Sequence, residues 1–356
     1  MNNKVCCAIL QLLRRHSLLF VAIYVVLIVS EVALAQIIRF RPGRLRFETQ
    51  VSQYSTTDNY DFPGGSFTSL GDGKYYQYLR SHSEFIYDYS DNWSLTAGLT
   101  GSMATSDDKT DVRKSTRIHR MNFKAQYIAI RKGFQLVPEI EASFSLFDIA
   151  DDVDEVLVDD DLTRLQFGAW LQKRFFTLNN YMYLGYQYRS DDFSSLGIYK
   201  IGTYKRLKNY YLGLELNGFS SLTDDKYVDT PINRTVITSR VNAGSLAQYA
   251  VNPSVTNASV WAGYNFARNF IFKLGYDQSI NGESYGSGQT IWLKMEIRSI
   301  WQGPGSAPPA NEQNNLKNEF VPSTVKEDET IQELFLGEEV EMELERKRRK
   351  SDDDQF

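Results

Sequence analysis

The sequence predicts an all-β chain: a transmembrane antiparallel up-and-down β-barrel of about twelve strands, with fourteen as the alternative count. Three observations lead there. Apolar and polar residues alternate with a period of two in run after run, and only an extended strand turns that period into one apolar and one polar face. The connections between runs are short and long in alternation. No apolar run reaches the ~18 residues a membrane helix requires. The composition agrees, with a net charge of −5, 42% hydrophobic residues, 22 Tyr and 21 Phe in 356 residues. Strands that are apolar on one side only produce such middling hydrophobicity.

The chain begins with a leader. Lys4, Arg14, Arg15 and His16 precede an apolar core, Leu18–Val29, and Ala33-Leu34-Ala35 follows before Gln36. That order reads as a secretory signal peptide over residues 1–35, cleaved after Ala35. An uncleaved anchor is the competing reading, and its apolar core is short for a span. Cys6 and Cys7 both lie in the leader, so the mature chain has no thiol and no disulfide to stabilise it. A closed barrel supplies stability another way, by pairing every backbone group between strands.

The first run, Arg44–Gln53, places Leu45, Phe47, Thr49 and Val51 together. The second is Tyr75–Tyr89, followed by a turn at Ser90-Asp91-Asn92. The third, Asn92–Ala104, is the clearest. Trp93, Leu95, Ala97, Leu99, Gly101 and Met103 share one face, and Ser94, Thr96, Gly98, Thr100 and Ser102 the other. The fourth, Arg117–Ile130, groups Met121, Phe123, Ala125, Tyr127 and Ala129. The fifth, Phe134–Phe147, sets Ile140, Ala142 and Phe144 opposite Glu139, Glu141 and Ser143; Pro138 within it requires a bulge or weakened pairing. The sixth to ninth are Arg164–Phe176, Tyr181–Arg189, Leu196–Arg206 (the least regular) and Tyr210–Ser220. The last three are Val255–Phe266, Phe270–Ile280 and Gln289–Trp301.

Short connections fall at Ser90–Asn92, Arg131–Gly133, Thr177–Asn180, Leu207–Asn209 and Ala267–Asn269. Long ones fall at Ser55–Lys74, Thr105–Thr116, Asp148–Thr163, Ser221–Ser254 and Ile280–Gly288. Hairpins around a barrel with one trimmed and one elaborated rim do this, whereas a soluble sandwich has no reason to. Thr235–Val241 and Leu246–Val251 form a possible extra hairpin, the source of the fourteen-strand alternative. Both runs are short against the ~9–11 residues a crossing strand needs.

The leader, the even strand number, the aromatic-rich hairpins and the turn–loop alternation resemble Gram-negative outer-membrane β-barrels of the porin-like class, over about Gly43–Trp301. The resemblance implies the outer membrane as location, with both termini periplasmic. Its implied partners are outer-membrane lipid, lipopolysaccharide and, during biogenesis, the barrel-assembly machinery. The last strand ends on Trp301, similar to the aromatic-ended strand that such barrels present to that machinery. The domain plan is therefore a leader over 1–35, a barrel over 36–302 and a periplasmic tail over 303–356. The tail opens on a Pro/Gly/Asn linker. An acidic stretch, Glu327–Glu345, follows, and then the basic run Arg346–Lys350. Thr324 and Glu327 make a capping box for a short helix, with plain disorder as the alternative. The tail is a candidate for binding a periplasmic partner. An exported tail with adjoining acids excludes nucleic acid.

If apolar residues meet lipid, the inward set begins with Arg44, Arg46, Glu48, Arg80, His82 and Glu84. It continues with Arg120, Lys124, Glu139, Glu141, Arg164 and Arg189, and ends with Lys200, Glu215, Lys273, Asp277, Lys294, Glu296 and Arg298. Such a face either lines a wet, selective pore or pairs across a filled lumen and braces the wall. The Ser221–Ser254 loop is long enough to fold inward as a constriction or to cover the mouth. In 148–161, Asp151, Asp152, Asp154, Glu155, Asp159, Asp160 and Asp161 form an acidic loop. Clustered carboxylates suit calcium, but the spacing matches no calcium loop and no Gly provides a sharp turn. The default is a solvated surface loop, with no metal and no cofactor.

Catalysis requires a nucleophile, a base and an orienting group in reach. The mature chain keeps His82 and His119. The outer-membrane phospholipase family pairs a His with a Ser two residues on, whereas here that place holds Glu84 after His82 and Met121 after His119. Ser81 and Ser83 point to the opposite face from His82. No catalytic residue is assigned. The leading expectation is a channel or transporter for small polar solutes, ahead of a structural or assembly barrel that binds a partner through its tail or acidic loops, and of a lipid hydrolase.

Overall fold

The computed structural model describes residues 40–61, 66–150, 152–267 and 269–302, with residues 301 and 302 described by backbone only. The leader over 1–35 and the tail over 303–356 lie outside the described residues. Twelve long strands form one closed antiparallel sheet, joined by one short extra strand. They are β1 (Arg44–Tyr60), β3 (Tyr75–Asp88), β4 (Trp93–Asp107), β5 (Val112–Tyr127), β6 (Gln135–Ser145) and β7 (Arg164–Phe175). The circuit continues with β8 (Leu178–Arg189), β9 (Leu196–Leu207), β10 (Tyr210–Ser221), β11 (Ser254–Ala267), β12 (Phe270–Glu283) and β13 (Tyr285–Gln302). The short β2 (Phe67–Ser69) folds back onto the end of β1. Neighbours in sequence are neighbours in space, and β13 returns to β1 from Arg44↔Gln302 to Tyr60↔Tyr285. Closure leaves the long strands without a free edge.

Burial follows the alternation. In β4, Leu95, Leu99 and Met103 are about half exposed, while Ser94, Thr96, Thr100 and Ser102 are buried. Exposed Leu214, Val260, Leu274 and Leu293 continue the apolar belt around the barrel. This is an inside-out core, with oily residues outward and polar ones inward.

Two expectations change, and for Pro138 the weakened-pairing alternative holds. Thr235–Val241 is not a strand: helix α1 (Ile232–Val241) occupies it, so the extra hairpin does not exist and the count is twelve. Two connections read as long are tight. β4 and β5 are joined across 108–111, where the Asp108 carboxylate accepts from the Thr110 and Asp111 amides, and β12 and β13 meet at Ser284. The strands run on past the apolar belt into a polar stretch that has no two-faced pattern to reveal them. Pro138 needs no bulge. Its partner in β7 is Ala169, and the β5–β6 ladder stops one residue away at Gln126↔Glu139, so its missing N–H falls where pairing has lapsed.

Candidate functional site: the charged lumen and its inward loops

The nineteen lumen candidates, from Arg44, Arg46 and Glu48 round to Glu296 and Arg298, alternate along their strands with the exposed apolar set. The ion pairs that join one strand to another run along the wall. Lys124 Nζ lies 3.1 Å from Glu84 across the small residues of β4, and Lys273 reaches Glu296 on the adjacent strand at 2.5 Å. Lys294 meets Glu48 across the β13–β1 seam at 2.6 Å. At the short-turn rim Asp88 gathers Arg44 and Arg46 at 2.8 and 2.9 Å. Between β7 and β11 the wall is aromatic: Trp170 contacts Tyr183 with centroids 4.8 Å apart, and Tyr204 contacts Trp261 at 5.7 Å. Trp261 lies so close over Gly213 that a Cβ there would stand 2.2 Å from the indole, so the ring lies flat against the sheet only because that residue has no side chain.

Among the described residues two loops fold into the lumen, and Phe40, ahead of β1, packs against Ile128, Val137 and Trp170. The 146–163 connection is not the solvated surface loop its acids suggest, for Val156, Leu157, Val158, Asp159, Asp160 and Leu162 are all buried. Val156 and Val158 pack with Tyr54, Tyr76, Ala104 and Ala247. Tyr76 donates to the Leu157 carbonyl at 2.6 Å and Arg80 to that of Val158 at 3.2 Å. The 222–253 connection also folds inward. Leu157 packs with Ile237 and Val241, and the Leu157 amide donates to Asn242 Oδ1 at 3.0 Å. Ser106 and Asn59 of the wall tie this second loop down through the carbonyls of Val241 and Gly244. Within it Arg234 bonds Asp225 at 2.6 Å and lies 3.4 Å above the Phe193 ring.

The tip of the acidic loop meets a cluster of guanidiniums. Arg120 Nε donates to Asp159 at 2.6 Å, and its Nη2 to Asp160 at 2.9 Å. Arg164 donates to Asp159 at 2.8 Å and also to Asp160. Arg189 Nη1 stands 3.8 Å from Asp160. Burial alone would raise the Asp159 pKa, but Arg164, His119, Arg120 and Arg80 together hold it well below the ordinary carboxylate range, so it is anionic. The other acids are dispersed. Asp154 pairs with Arg113 and Glu155 with Arg117, while Asp161 accepts from the Ile149 amide. Asp151 lies outside the described residues. Among the described residues no three His, Cys, Asp or Glu side chains gather as a metal site.

His119 joins this cluster through a β-bulge. The β4–β5 register passes from Thr100↔Arg120 to Gly101↔Ile118, so His119 is the extra residue and both it and Arg120 turn inward. The signal was in the sequence, where the polar phase slips by one between His119 and Arg120. The His119 ring lies 2.9 Å from Asp159 through Nδ1 and 2.9 Å from Ser102 Oγ through Nε2. The order Ser–His–Asp is that of a hydrolase triad, but the surroundings are not. Ser102, His119 and Asp159 are 4%, 0% and 4% exposed, and the carboxylate is shared with two arginines. A group so enclosed holds the loop in place and has no approach for an ester. His82 bonds Thr100 and Glu84, with no serine in reach among its bonds.

No family model matches the sequence, and no curated protein matches it. Among solved structures, the chain is similar to the COG4313 outer membrane channel from Pseudomonas putida F1, at 11% identity and a TM-score of 0.53, over 72% of this chain and 97% of that one. The fold is that of an outer-membrane β-barrel. The KdgM porin (6% identity, TM-score 0.41, 71% and 98% covered) and the translocator domain of autotransporter NalP from Neisseria meningitidis (12%, 0.38, 72% and 88%) overlap too loosely to carry an argument.

Proposed function

We propose that the protein is an outer-membrane channel, in a Gram-negative bacterium, that passes small polar solutes, with both ends of the barrel segment at the periplasmic rim and the apolar belt against outer-membrane lipid. The observation that carries this reading is the direction of the strand-to-strand ion pairs, those of Arg120, Arg164 and Arg189 going instead to an inward loop. Charges that braced a filled lumen would pair across it. Here Lys124–Glu84, Lys273–Glu296 and Lys294–Glu48 pair along the wall and leave the axis to whatever enters. Among the described residues two long loops fold into the lumen, and both are chain that can move without unpairing a strand. A pore closed by its own loops still has a polar wall ready for solute. The purified protein in planar bilayers should show discrete conductance steps, and removal of residues 232–241 should enlarge them. A tight seal at every voltage, for both forms, would overturn the reading.

A further inference from the structure

Four guanidiniums, Arg80, Arg120, Arg164 and Arg189, converge on the tip of the acidic loop, and among the described residues Asp159 and Asp160 are the acids that answer them there. The nearest other acids are otherwise engaged: Asp161 bonds a backbone amide and Asp225 pairs with Arg234. Arg164 Nε is buried without a hydrogen-bond partner. A cationic cluster that outnumbers its buried counter-charges favours additional or better-fitting anions, because each unpaired buried charge is costly. Its geometry is also specific. Arg120 and Arg164 each bind both carboxylates, the planar forked recognition that guanidinium provides and ammonium does not.

We propose that this cluster is a carboxylate-binding site of the lumen, that Asp159 and Asp160 occupy it as an internal ligand, and that small organic dianions carrying two neighbouring carboxylates are the solutes that displace them. The inference rests on the channel reading for its biological sense, but the site itself does not need transport to exist. The loop tip competes as a tethered ligand. Free solute therefore binds with an affinity reduced by the fraction of time the site is vacant. Removing the two charges relieves that competition and leaves the arginines in place.

The test is calorimetric titration of succinate into the full-length, detergent-purified protein in chloride-free buffer. Asp159→Asn with Asp160→Asn keeps side-chain volume while removing charge, and should bind succinate at least tenfold more tightly than the unmodified protein. Adding Arg120→Gln and Arg164→Gln should abolish binding, and propionate should bind more weakly than succinate. A folded double variant, judged by heat-modifiable gel migration, that takes up no succinate overturns the proposal. So does one that binds no better than the unmodified protein. If the double variant does not fold, Asp160→Asn alone is titrated, and no gain there is equally fatal. Succinate binding by a variant that stays sealed in a planar bilayer upholds the site and removes only the channel reading.

Discussion

At the scale of single residues, the lumen separates charges that matter from charges that do not. Arg120 is buried and makes contacts to Asp159, Asp160 and the Leu162 carbonyl. Arg120→Ala leaves both carboxylates short of a partner, at a cost of about 3–5 kcal/mol to the loop's seating. Hydrogen exchange of amides 156–162 in the intact barrel should speed up accordingly. Arg113 pairs with Asp154, which is 81% exposed, and Arg113→Ala should cost less than ~1 kcal/mol and leave those amides protected. The acid response has a definite sign. Asp159 has a depressed pKa, so its contribution is complete above the ordinary aspartate value of 3.8 and disappears only as pH falls through the lower value it has in place. Limited proteolysis of the 146–163 loop should therefore be unchanged from neutral pH down to the ordinary aspartate value of 3.8 and accelerate progressively below it.

At the scale of elements, legibility depended on what each strand faces. Within the apolar belt every strand has two unlike sides, and Leu95, Leu99 and Met103 against Ser94, Thr96 and Thr100 announce β4 from composition alone. Beyond the belt both sides meet water or polar loop. The far ends of β1, β12 and β13 therefore carry no period, and the tight turn at Ser284 was read as a long loop. Helix α1 was hidden by its β-branched residues, Ile232, Thr235, Val236, Ile237 and Thr238. Packing of Ile237 and Val241 against Leu157 overrides that propensity. The inward turn of the acidic loop was the costliest miss. Its acids signal solvent, whereas the run Val156-Leu157-Val158 and inward arginines that the loop complements, such as Arg80 and Arg120, lie far apart in the sequence. A wall element gives a sharper prediction. A Cβ at Gly275 would stand 2.2 Å from the Trp292 indole, so Gly275→Val should lift that ring off the sheet. The expected cost is about 1–3 kcal/mol, read by denaturant unfolding, with a shift in tryptophan emission.

The barrel as a whole is organised by its exterior. Leu99 lies in the middle of β4 with its side chain 49% exposed, among apolar neighbours. Leu99→Arg at the bilayer midplane should cost about 2–4 kcal/mol of folding free energy in lipid vesicles. The same measurement in detergent micelles should show less. This separates the bilayer's role as solvent from the sheet's own pairing.

The seam between β1 and β13 has a consequence for how the molecule comes into being. Its first and last strands are the two ends of a ladder that pairs Arg44 with Gln302. Nearly the full barrel sequence must exist before that ladder can start. Such high contact order makes closure late and slow. Until then, the nascent sheet offers two raw margins of unpaired amides and carbonyls. A chain shortened within the final strand cannot join those margins and should be recovered as aggregate.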